Sequence, residues 1–132
     1  MDEFQVKFAE KVKEVLGEDM DEKIIKEGHS TLISNYLSPI REKIGTVKKE
    51  EEYGFVITNW SSSIKINDTW LSTDTNVVDN SIRIVNHLEN GTEEIDKIIV
   101  KNGKLFSEKQ EKEFDTEMFK SYLKEIFNGI LS

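Results

Sequence analysis

YGFVITNW (53–60), SSSIKINDTW (61–70), SIRIVNHLENG (81–91) and EEIDKIIVKNGKLF (93–106) are the stretches whose reading decides the fold. Apolar and polar residues alternate through them, which is the period of a half-buried strand. Two Asn-Gly pairs, Asn90-Gly91 and Asn102-Gly103, punctuate the alternation, and such pairs suit the positive backbone angles of type I′ hairpin turns. In the first strand Tyr53, Phe55 and Ile57 share one side, while Val56, Thr58 and Trp60 share the other. A turn at Ser61-Ser62 leads into a second strand over 63–67. The strand over 81–88 sets Ile82, Ile84 and Leu88 against Arg83, Val85 and His87. Between them, residues 68–80 read as a short strand at 69–73 followed by a polar loop. An antiparallel meander of four to six strands is therefore expected over about 53–107.

Helical periodicity flanks the meander. Phe4, Phe8, Val12, Val15 and Leu16 fall on one helical face, and Gly17 is a natural stop. The acidic cluster Glu18, Asp19, Asp21 and Glu22 suits the first turn of a next helix, where carboxylates face unsatisfied N–H groups, better than it suits a cation. Ile24, Ile25, Leu32, Ile33, Tyr36, Leu37, Ile40 and Ile44 continue the pattern over 21–44. Gly28-His29-Ser30 reads as a break with Ser30 as a fresh N-cap, and Pro39 as a kink or a restart near Ser38. Gly45 ends this region, and the mixed charges at 48–52 form a solvated connector. Asp115 caps a last helix over about 115–128, whose stripe is Met118, Phe119, Tyr122, Leu123, Ile126 and Phe127, and Asn128-Gly129 ends it. The expectation is one α+β domain over 1–132: a two-layer sandwich in which the N-terminal helices (about 2–44) and the C-terminal helix pack on one face of the sheet.

The 132 residues carry a net charge of −8 with the acidic excess dispersed. Such a surface disfavours phosphate backbones and anionic bilayers, which need clustered Lys and Arg. No nucleic acid and no membrane are expected as partners. The sequence has no cysteine, which excludes disulfides, thiolate chemistry and Cys-based zinc sites. Its start lacks a basic segment followed by an apolar run, so a cytoplasmic location is the expectation. Nucleophile elbows, phosphate-binding glycine loops, dinucleotide fingerprints and His-Glu-x-x-His are all missing from the sequence. Neither a cofactor nor a metal is expected. Of the two histidines, His29 reads as a cap or a solvated residue, and His87 as the group to watch because imidazole titrates near neutrality.

The second face of the sheet is the surface singled out for function. Val56, Trp60, Val85 and Ile99 have the parity opposite to the core set, His87 shares that side, and Trp70 is close in sequence. A contiguous patch of that kind marks an interface or a groove. The expected function is therefore a non-catalytic protein-interaction module, self-associating as a homodimer through this face. The alternative is a small-ligand binder with a pocket between sheet and helices near Trp60, Trp70 and the 68–80 loop. An enzyme ranks third and would need His87 to meet Asp74 or Asp79.

Overall fold

The computed structural model describes residues 2–16, 20–44 and 53–131. The helix stop at Gly17, the acids Glu18 and Asp19, Gly45 and the connector at 48–52 lie outside the described residues, as do the side chains of Val15 and Leu16. Seven strands follow one another as an antiparallel meander, each paired with its sequence neighbour: β1 (Tyr53–Ile57), β2 (Ser61–Ile66), β3 (Thr69–Asn76), β4 (Ser81–Leu88), β5 (Gly91–Lys101), β6 (Lys104–Ser107) and β7 (Lys112–Glu113). The fold is the expected α+β sandwich, with seven strands where four to six were expected.

Residues 69–76 are strand throughout, so the short strand expected at 69–73 runs on through 74–76, which were expected as loop. Leu71 and Thr73 are buried on the core side while Trp70, Ser72 and Asp74 alternate with them, so the period of two continues through a polar composition. Their pairing is fixed by Asn67, whose φ of 54° turns β2 into β3. The first hairpin turn lies at 58–60 rather than at Ser61-Ser62, because the Thr58 hydroxyl accepts from the Ser61 amide (3.0 Å) and closes it early. Asn102-Gly103 has both φ values positive, as a type I′ turn requires. At the other Asn-Gly pair Leu88 faces Gly91, so the loop is Glu89-Asn90 and Gly91 opens β5. A bulge in β5 sets Ile84 opposite Asp96 and Val85 opposite Glu94, leaving Ile95 as an extra residue buried in the core.

Two helical segments cover one face. α1 (Glu3–Leu16) begins at a capping box, in which Gln5 N–H donates to Asp2 Oδ1 and Asp2 N–H to Gln5 Oε1. The covering layer starts with α2 (Met20–Gly28), passes through a π-helical segment (His29–Ser34) and continues as α3 (Asn35–Ile44). α4 (Thr116–Ile126) is capped by Asp115, which accepts from the Met118 amide at 2.8 Å, and a short α5 (Asn128–Leu131) follows.

The expected break at 28–30 is a widened turn instead, and spacing gives the reason. Ile25, His29, Ile33 and Leu37 are all fully buried, at intervals of four. Each such step overshoots an α-helical turn by roughly 40°, so Leu37 would arrive about 120° away from Ile25. The wider π turn absorbs the excess and keeps all four on the core. Pro39 sits exposed in the fifth position of α3, and the helix runs on to Ile44.

His29 is buried rather than capping. Its Nδ1–H donates to the Asn59 carbonyl (3.1 Å), and its Nε2 accepts from the Thr73 hydroxyl (2.6 Å), which itself accepts from Ser62. Burial pulls the imidazole down to about 4, with the Asn59 bond opposing in part. At the other end of the core, buried Asp96 accepts from the Ser107 and Tyr122 hydroxyls and from the Lys97 and Lys109 amides. Desolvation, and then the bond to Asp96, push the Tyr122 hydroxyl above its ordinary value.

α1 departs from the expected packing. Its stripe is exposed, Phe4 by 72% and Phe8 by 60%, with the two rings stacked at 5.7 Å and Val12 also exposed.

Two outcomes follow for stability. A methyl group on Gly28 would come within 2.2 Å of Leu105 Cδ1. Gly28→Val should cost about 2 kcal/mol and lower the melting temperature by several degrees, with Leu105→Ala in the same chain restoring part of the loss. The unfolded chain protonates His29 near 6.5, whereas the fold keeps it neutral to about 4. Stability should therefore drop as pH falls from 6.5 towards 4, by on the order of 3 kcal/mol. Denaturant titrations of a His29→Leu variant, weaker at neutral pH, should lack that component.

Candidate functional site

The uncovered face of the sheet can be read in rows from the strand registers. Lys65, Trp70, His87 and Thr92 form one row across β2–β5. Val56, Ser63, Ser72, Val85 and Glu94 form the next, across β1–β5. Ser61, Asp74, Arg83 and Lys97 follow, and then Asn76, Ser81, Ile99 and Phe106.

Val56 and Val85 thus share a row but are separated by two serines, and Ile99 lies two rows further on. The face carries its apolar side chains singly among polar ones. Trp60 is not on it as a strand residue: it occupies the β1–β2 turn, where its carbonyl accepts from the Thr75 amide and hydroxyl. Trp60 and Trp70 stand at opposite ends of β3, so the pocket expected between them and a 68–80 loop does not form.

Trp70 and His87 do come together. Their rings stack nearly parallel, with centroids 3.8 Å apart, and Lys65 Nζ approaches the indole from the β2 side at 5.7 Å. Trp70 Nε1–H donates to Ser63 Oγ at 2.7 Å, and His87 Nε2 bonds Ser72 Oγ at 2.7 Å. Neighbouring strands therefore pin both rings. A cleft of about 460 Å³ opens beside them, lined by Lys65, Asp68, Trp70, His87, Leu88 and Glu89.

Ser72 and His87 have the spacing of a nucleophile and its base. Among the described residues no hydrogen bond reaches His87 Nδ1, so nothing orients the imidazole as a triad carboxylate would. Asp74 stays two rows from His87. Partial desolvation raises its carboxyl, and the imidazole charge pulls it back. Asp79 turns the other way, accepting from Ser81 Oγ (2.6 Å) and Arg83 (2.8 Å) with Lys97 at 3.5 Å, and its carboxyl is lowered by the Ser81 bond first. Among the described residues no three metal-ligating side chains cluster, and no helix is long and apolar enough to cross a membrane.

A second feature has no counterpart in the sequence reading. On the helical side, at the β1 end of the sheet, α3, α4, α5 and the first two strands leave an apolar hollow of about 180 Å³. Leu37, Ile40, Ile44, Phe55, Phe127 and Leu131 are among its walls. The helix stop expected at Asn128-Gly129 is instead a change of direction: α5 carries Ile130 and Leu131 back along the rim. The apolar pair after Gly129 was the available signal.

A family profile matches residues 6–131, from within α1 to the end of α5. The chain belongs to the DUF3942 family. The description attached to this family is a protein of unknown function. No curated protein and no solved structure matches the chain. The DUF3942 match spans helices and sheet together, so any reading of the site has to come from the geometry above.

Proposed function

We propose that the protein is a non-catalytic interaction module whose partner is a second copy of itself. One observation carries this reading: among the described residues two apolar surfaces stand uncovered, the Phe4–Phe8–Val12 stripe of α1 and the hollow bounded by α3, α4 and α5. Large aromatic side chains exposed at helical spacing mark a surface that another chain covers. The open sheet face, the contact expected from sequence, is the weaker support. Its apolar residues are dispersed, and its charged residues neutralise one another through Asp79, Arg83, Glu94 and Lys97. Covering it would desolvate those pairs for little apolar gain.

The test is sedimentation velocity of the full chain across a hundredfold concentration range. A dimer that dissociates on dilution is expected, and Val85→Glu on the sheet face should leave it intact. A 15.3 kDa monomer at every concentration would overturn the reading.

A second reading has its own support in the pinned Trp70–His87 stack and the cleft beside it. An aromatic platform flanked by Lys65, Asp68 and Glu89 suits a small polar ligand with a flat ring. In a Trp60→Phe background, emission from Trp70 should change when such a ligand binds. A flat response to a panel of heteroaromatic metabolites would count against a ligand here.

A further inference from the structure

In the middle of the open sheet face Asp79, Arg83, Glu94 and Lys97 pair with one another. The end beside the β2–β3 and β4–β5 turns differs: Lys65, Asp68 and Glu89 line the cleft there and join no ion pair among the described residues. We infer that this cleft takes a small zwitterion, one molecule carrying an ammonium, a carboxylate and a flat apolar ring, the class of the aromatic amino acids. This rests on the reading of the Trp70–His87 stack as a ligand platform and names the ligand's chemistry.

The register places the charges. Trp70 on β3 pairs with His87 on β4. Asp68 comes two residues before the one and Glu89 two residues after the other, so both carboxylates stand at the same end of this strand pair, beyond the rings. Two like charges on neighbouring turns repel each other, and an ammonium between them offsets that repulsion. A bare metal ion asks for more, because among the described residues no three ligating side chains converge.

Lys65 supplies the opposite sign from the other side of the indole. It is the partner of Trp70 in the β2–β3 register, and its Nζ lies 5.7 Å from the ring centroid. A contact of that length on an exposed lysine is weak, and the flexible stem lets the ammonium lift away to meet a carboxylate. The indole face it leaves is where the ligand's ring lies down. His87 already holds the other face at 3.8 Å, and both rings are anchored to serines, so the platform is rigid before a ligand arrives. An amine alone would sit near Lys65 with nothing to offset the like charge. Polyanions are turned away by the two carboxylates and by the chain's net charge of −8. A cleft of about 460 Å³ has the size for a small molecule.

Trp60→Phe leaves Trp70 as the only tryptophan, so a single indole N–H signal reports on the cleft by NMR. Three probes with one ring and different charges decide the class: L-phenylalanine, phenethylamine, which lacks the carboxylate, and hydrocinnamate, which lacks the ammonium. Phenylalanine should shift the signal saturably and bind at least tenfold more tightly than either of the others. Lys65→Met should abolish its advantage over phenethylamine, and Asp68→Asn with Glu89→Gln its advantage over hydrocinnamate. All three side chains are exposed, and the position of the indole signal shows that each variant is folded. Equal affinities for the three probes, or a preference for a singly charged one, would overturn the zwitterion and leave an aromatic cleft. Silence from all three would overturn it too. A heteroaromatic ligand that still binds then keeps the platform reading, and a chain silent to both sets of compounds loses both.

Discussion

The bond from the Thr73 hydroxyl to His29 Nε2, 2.6 Å and fully buried, fixes where the helical layer sits on the sheet. Apolar burial holds α2, α3 and α4 against the strands but is indifferent to sliding by a residue. A buried imidazole is not indifferent, because each nitrogen must find its partner or the fold bears the cost of desolvating it. His29 finds the Asn59 carbonyl on the β1–β2 turn and Thr73 on β3, so it ties the helix to two elements at once. Asp96 does the same work at the far end, joining the β5 bulge, Ser107 of β6 and Tyr122 of α4. Between these two polar clamps lies the run of Ile33, Leu37, Leu71, Ile82, Ile84, Ile98 and Phe119.

The π-helical segment is a consequence of the same constraint. His29 has to face the sheet together with Ile25, Ile33 and Leu37, and an unbroken α-helix cannot hold four residues at intervals of four on one line. Gly28, immediately before, lets the helix approach Leu105 closely enough for the imidazole to reach β3. A spacing that looks like an interrupted helix in sequence is thus one continuous helix with its pitch adjusted to a buried hydrogen bond.

What could be read in advance follows from what periodicity encodes. Alternation located Phe55, Ile64, Ile82 and Ile84 on the core side, and the stripes of α4 pointed to Met118, Phe119 and Tyr122; all are buried as expected except Phe55, which is half-buried against the core. Period identifies the apolar side of an element and is silent on what covers it. Phe4 and Phe8 have as regular a helical spacing as the α4 set, yet they face outward. Residues 74–76 are hidden for a different reason: Asp74, Thr75 and Asn76 continue the strand, but their polarity conceals the alternation. The Trp70–His87 stack depends on the β3–β4 register, which pairs those two residues and which no local pattern states.

The two faces of the sheet end up with opposite chemical characters, and the difference bears on which surface another chain would cover. On the open face the hydroxyls of Ser63 and Ser72 are spent on Trp70 and His87, and the charges of Arg83 and Lys97 on Asp79. Such a surface is satisfied by water and by itself, and its valines, exposed Val56 and half-buried Val85, are isolated. Among the described residues, the helical side leaves an apolar hollow at the β1 edge, bordered by α3 and the single turn of α5. Apolar area that the described elements leave uncovered is the strongest driving force left at their surface. It lies next to α3, on the side of the sheet that the helices pack against.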